Sequence, residues 1–179
     1  MAFAYDEAKF AELMLYTADK LRDDRAGGAT KLNKVLFFAE FAHMRRYGRP
    51  ITGAEYQKLE RGPAPRRLVP VRQRLVDNGQ ARIAEGYYLG YEQHRLIPSE
   101  PVRPILLSSE EIESVDEVIE DLRGLTARQV SDLSHDEEGW RMVEQGQTIP
   151  FEAAVLRRPV VTERVRAHAG ALAKQHGRT

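Results

Sequence analysis

The chain has 179 residues, enough for one domain with a sizeable core and too few for two full domains. Its 27 basic and 27 acidic residues leave a formal charge of zero, so no overall field draws it toward nucleic acid or an anionic bilayer. The absence of cysteine excludes disulfides, thiolate zinc sites and cysteine nucleophiles. With no basic leader in MAFAYDEAKF and no apolar run of about 18 residues, the chain reads as a soluble protein of a reducing cytoplasm.

From Asp6 to about Arg22, Phe10, Leu13, Met14, Ala18 and Leu21 are spaced for one face of a helix, with acids in its first turn and bases in its last. After the break DDRAGGA comes Thr30 to Tyr47, TKLNKVLFFAEFAHMRRY, which is apolar around most of its circumference. That pattern predicts a central helix enclosed by others, capped by Thr30 and stopped by Gly48 and Pro50. Its polar residues Lys31, Asn33, Lys34, Glu40 and His43 must find water or a partner, because an unpaired buried polar group costs about 1–3 kcal/mol. So short a connection predicts an antiparallel hairpin of the first two helices.

The stretch RPITGAEYQKLERGPAPRRL is the least helical, with a turn at 51–53 and a short extended segment at 55–60. Pro63 and Pro65 then predict a stiff surface loop that presents side chains. A helix follows from about Arg66 over Leu68, Val71, Leu75 and Val76, with Pro70 in its first turn. Residues 81–86 and 87–97 read as two strands turning at Glu85 and Gly86. After a proline-spaced connector, Ser108 or Ser109 caps a helix with Ile112, Val115, Val118, Ile119 and Leu122 on one face and a solvated acidic face opposite. Thr126 caps the next helix, over Val130 and Leu133, and a polar stretch surrounds Trp140. The fold class is mainly α (α+β): a compact helical domain around a buried central helix, with a small β-hairpin. The domain is read over 1–156, with a basic helix or tail at 157–179.

No catalytic, metal or cofactor site emerges. Ser134, His135 and Asp136 are adjacent, but neighbours in sequence point apart and no G-x-S-x-G turn is present, so Ser134 reads as a turn residue and His135 as hydrogen-bonded to backbone. The five histidines lack H-E-x-x-H spacing, and Gly27–Gly28 lacks the G-K-[ST] ending of a phosphate loop. Arg61, Arg66, Arg67, Arg72 and Arg74 crowd around the 66–78 helix, and with the hairpin behind it they outline a winged-helix DNA-binding regulator, the alternative reading.

Three stretches carry a resemblance: the aromatic helix with Lys31, Leu32, Lys34, Leu36, Phe38 and His43, the corner Tyr47-Gly48-Arg49-Pro50 with the later Gly62–Pro63, and Leu133-Ser134-His135 followed by Trp140. In order and spacing the chain resembles the Panacea domain, the SocA-like antitoxin family of bacteria and phages, over about residues 8–155. Asn33 and Arg61 depart from the pattern at two positions. The resemblance implies a mostly helical, non-enzymatic antitoxin that binds a cognate toxin directly. One family member delivers its toxin to the ClpXP protease, and inhibition and delivery are both compatible with this chain, as is a homodimer. Tyr56, Arg61, Arg66, Arg67 and Trp140 are residue types enriched at binding hot spots and are the candidate partner contacts. Lys31, His43, Ser134 and His135 are expected to form an internal polar network.

Overall fold

The computed structural model describes residues 3–156. Helix α1 (Glu7–Lys20) is capped by the Asp6 side chain, which accepts from the amide of Lys9. Helix α2 (Ala29–Tyr47) follows and is buried along nearly its whole length, from Lys31 to Met44. It touches α1 and elements from every later part of the chain, so the central rod expected from its all-round apolar surface is present. Its N-cap is Gly28, which has no side chain to offer, and Thr30 lies inside the first turn, a correction to the expected cap. At the other end Gly48 adopts φ 71°, the left-handed exit that glycine takes without steric cost.

The segment after α2 threads back through the core. Strand β1 (Tyr56–Gln57) pairs antiparallel with β2 (Ala64–Pro65) on one side and with β5 (Thr148–Ile149) on the other. Gly62, Pro63, Ala64 and Pro65 are all buried, which corrects the expectation of a surface loop. Prolines stiffen a chain wherever it runs, and here a neighbouring helix covers it. Around β1, the rings of Phe37 and Phe41 lie 4.4 Å apart, and Tyr56 meets them edge-on at 5.6 and 5.9 Å. Each buried ring of this kind contributes about 1.5–3 kcal/mol by removal from water.

Helix α3 (Leu68–Asp77) buries Val71 and Leu75, and Pro70 sits in its first turn, where no intrahelical amide is lost. Strands β3 (Ala81–Tyr88) and β4 (Tyr91–Pro98) form a separate antiparallel hairpin in which Tyr88 faces Tyr91. Its turn is at Leu89 and Gly90, not at Glu85 and Gly86, and both turn residues have positive φ, 52° and 83°. That is the handedness a two-residue hairpin needs, at a cost of about 1–2 kcal/mol for the leucine.

Helix α4 (Ser109–Asp121) begins with a capping box between Ser108 and Glu111 and packs Val115 and Val118 inward against α2. Its acidic face is paired as well as solvated: Asp116 accepts from Tyr16 and Lys20, Glu117 from Arg46, and Glu110 from Arg49. Helix α5 (Ala127–His135) has its own capping box at Thr126 and Gln129 and buries Val130, whereas Leu133 is exposed. A 3-10 turn (Phe151–Leu156) packs against α2, and helix α6 (Glu138–Met142) packs against that turn and α5. The mainly helical class with a small hairpin is thus the architecture found. The expected tail, 157–179, lies outside the described residues.

Candidate functional site

The three stretches singled out in the sequence meet at one place, the loop from Lys58 to Pro63. Lys34 of α2 donates from Nζ to the carbonyl of Pro63 at 2.9 Å. Ser131 of α5 donates to the carbonyl of Arg61 at 2.6 Å, and the Trp140 indole of α6 donates to the carbonyl of Leu59 at 3.3 Å. The backbone of Lys58 exchanges bonds with Gln147 and Gly146, and its Nζ donates to Val143 while lying 4.1 Å from the centre of the Trp140 ring. A loop whose carbonyls are taken up by three different helices has little freedom left, and Leu59, Glu60 and Arg61 are the side chains it leaves exposed.

Under the loop, Gly62 has φ 96°, and a Cβ placed on it would come 2.4 Å from Ser134 Oγ and 2.8 Å from Lys34 Nζ. Only glycine fits. Ser134 Oγ itself donates to the carbonyl of Ser131, so α5 and the loop are locked together through a serine pair one turn apart. The Lys34 ammonium is buried with no carboxylate pairing with it among the described residues, and burial pulls its pKa down to about 8. Farther along α2, the Glu40 carboxylate accepts from the amides of Ile51 and Thr52 and from the Thr52 hydroxyl, holding the corner after Gly48. Burial raises its pKa to about 7 against these hydrogen bonds.

The expected polar network is dispersed. Lys31 pairs with Asp24 at 2.6 Å and donates to the carbonyl of Leu125. His43 meets Ser114 through Nδ1 at 2.9 Å, and burial lowers its pKa. His135 stacks on Trp140 at 4.4 Å, and its buried Nε2 has no hydrogen-bond partner, so the expected backbone bond is not present at that atom. Ser134, His135 and Asp136 point to Ser131, Trp140 and Arg141 respectively, which is not the geometry of a triad.

Of the candidate contact residues, Tyr56 is wholly buried, which takes its ring off any docking surface. Arg66 is exposed but engaged with Gln57, Gly146 and Thr148, clamping the β1–β5 edge. Arg67 is exposed at the N-cap of α3, away from the loop. Arg61 and Trp140 are the two that the structure ties to one loop, Arg61 as part of it and Trp140 through the Leu59 carbonyl, and Leu59 is an exposed apolar residue of the same loop not singled out beforehand. Ser131 was also missed. Its place one helical turn before Ser134 was the available signal.

Neither curated proteins nor solved structures yield a match. Among the described residues no helix is long and apolar enough to cross a membrane. The family model described as "Antitoxin SocA-like, Panacea domain" matches residues 32–141, more than half the chain, including Lys34, Ser131 and Trp140. The chain belongs to the SocA-like antitoxin family with a Panacea domain.

Proposed function

We propose that this chain is the antitoxin of a toxin–antitoxin pair and neutralises its toxin by direct contact through the Leu59–Arg61 loop and the neighbouring face of α5 and α6. The observation that carries the reading is the convergence of Lys34, Ser131 and Trp140 on alternate carbonyls of one loop, those of Pro63, Arg61 and Leu59, which leaves the Leu59, Glu60 and Arg61 side chains exposed. A preordered loop binds without the entropic cost of fixing it, and arginine is among the residue types enriched at interface anchors. Ser134, His135 and Asp136 each face another partner, in keeping with a binding role and no covalent step.

The test is rescue of growth on co-expression with the growth-inhibiting product of the neighbouring gene. Arg61→Glu with Leu59→Asp should abolish rescue and co-purification while leaving thermal unfolding unchanged, since both side chains are exposed. Full rescue by that double variant would remove the reading. Repeating the assay in cells lacking ClpX separates blocking from delivery, because a delivering antitoxin fails there and a blocking one does not. The winged-helix alternative has its outline in α3 and the hairpin, but Arg66 and Arg74 are spent on Thr148 and Glu7 within the chain. A gel shift on the chain's own promoter at physiological salt tests it.

A further inference from the structure

We infer that two copies of this chain associate through their β3 edges about a two-fold axis, each hairpin tip entering a groove at the base of the other hairpin. The inference is independent of toxin binding. It begins at the tip, where Tyr87, Leu89 and Tyr91 are 81%, 67% and 77% exposed, three large apolar side chains within five residues. Leu89 holds φ 52° there, a backbone state that asparagine or glycine adopts more readily. A leucine kept in a strained turn, in solvent, is an anchor without its socket.

A socket is present on the same molecule. An open groove of about 630 Å³ runs between α1 and the 98–106 connector, walled by Ala11, Leu15, Leu75, Pro101, Val102 and Leu106, and Gly79 and Gln80, just before β3, line it too. Ile105 on its rim is 86% exposed. The volume is in the range that takes a few large side chains.

The two features are related by the length of the hairpin. Eight residues of strand put the tip about 26 Å from the base, and among the described residues β3 has a strand neighbour on one side only, β4. If β3 of one copy pairs antiparallel with β3 of another about Ala84, then Leu89 lies opposite Gly79 and Tyr87 opposite Ala81. Both tips then reach both grooves together, as a closed two-fold interface requires. In this register Arg82 faces Gly86, Glu85 faces Ile83, and Ala84 faces itself. No like charges are opposed, and small residues occupy the axis, where the chains are closest.

Sedimentation across the micromolar range should give the mass of a dimer for the full chain. Leu89→Asn, which suits the turn and removes the anchor, should shift it to monomer with thermal unfolding unchanged or raised. Leu106→Asp should do the same from the groove side. Because the chain has no cysteine, Ala84→Cys provides an independent readout: oxidation should trap a covalent dimer, while Glu117→Cys on α4 should not. A monomer at every concentration, a dimer unmoved by either leucine variant, or cross-linking at position 117 but not 84 would each overturn the inference.

Discussion

Lys34 is the residue whose removal says most about the loop. Its ammonium is buried and bonded to a single carbonyl, and burial brings its pKa to about 8 from an ordinary value of 10.5. A depression of that size corresponds to about 3 kcal/mol of penalty for keeping the charge inside. Below pH 8 the amine is charged in both folded and unfolded chains and the penalty is borne in full. Between pH 8 and 10.5 the folded chain has released the proton and the unfolded one has not, so stability rises with pH by roughly that amount. Lys34→Met removes the charge and leaves the Pro63 carbonyl without its donor, a loss of about 1–3 kcal/mol. The two effects offset at neutral pH, so urea unfolding at pH 7 should differ from the parent by no more than about 1–2 kcal/mol. At pH 10 the variant should be less stable by about 2–3 kcal/mol, because the parent has gained and the variant has not. The difference between the two proteins isolates Lys34, since Tyr5, Tyr16 and Tyr56, whose pKa values burial raises, are common to both. An unchanged difference between pH 7 and pH 10 would refute the buried, uncompensated ammonium. Toxin co-purification by Lys34→Met at pH 7 as strong as the parent's would show that the pin does not order the binding loop.

Glu40 titrates in the opposite sense: its folded pKa of about 7 lies above the ordinary 4.5, so stability falls as pH rises between those values and is flat above. Glu40→Gln should abolish that fall, of about 3 kcal/mol, in unfolding curves taken at pH 4.5 and 7.5. Gly62→Ala should cost at least about 2 kcal/mol in urea unfolding, because the new methyl meets Ser134 Oγ and Lys34 Nζ in a left-handed backbone. Adding Ser134→Ala should recover only part of that loss. Tyr56→Phe removes a buried hydroxyl that has no hydrogen-bond partner, and thermal unfolding should show a stability equal to the parent's or higher by about 1 kcal/mol.

The helices were legible because their signals are local. The spacing of Leu13, Met14 and Ala18, the caps at Ser108 and Thr126, and the all-round apolar surface of α2 each report on a few turns of chain, and each element stands where they put it. The hairpin was legible as a hairpin but not in its turn. Glu85–Gly86 has the turn composition, yet Ala81 and Leu96 are the residues that reach the core, and they fix the register so that the reversal falls on Leu89. The loop failed for a related reason. Gly-Pro-Ala-Pro carries few hydrophobic side chains and reads as surface, and only the three-dimensional approach of Lys34, Ser134 and Tyr56 buries it. For the site, residue type singled out Arg61 and Trp140 but equally Tyr56, because a tyrosine that fills a core and one that grips a partner look alike until exposure is known.

Of the ionisable groups buried in α2, Glu40 and Lys34 each hold a segment that helical packing alone would leave loose. Glu40 gathers the amides of Ile51 and Thr52 after the left-handed turn at Gly48, and Lys34 gathers the carbonyl of Pro63 after that at Gly62. Both segments lack regular backbone pairing at those positions, and a methionine or leucine in α2 would leave the same amides and carbonyl buried and unmet. The polar groups therefore serve as anchors for irregular chain against a regular helix, and their desolvation is offset by satisfying backbone that has no other partner. Fixing even four loop residues costs about 4–8 kcal/mol of backbone entropy, which a flexible loop would subtract from its affinity at the moment of binding. Here folding has already met that cost, so in the proposed reading what a toxin gains at Leu59, Glu60 and Arg61 is not reduced by ordering them. A buried lysine whose desolvation cancels what its hydrogen bond contributes at neutral pH is consistent with a loop whose shape matters more than the margin by which the domain stays folded.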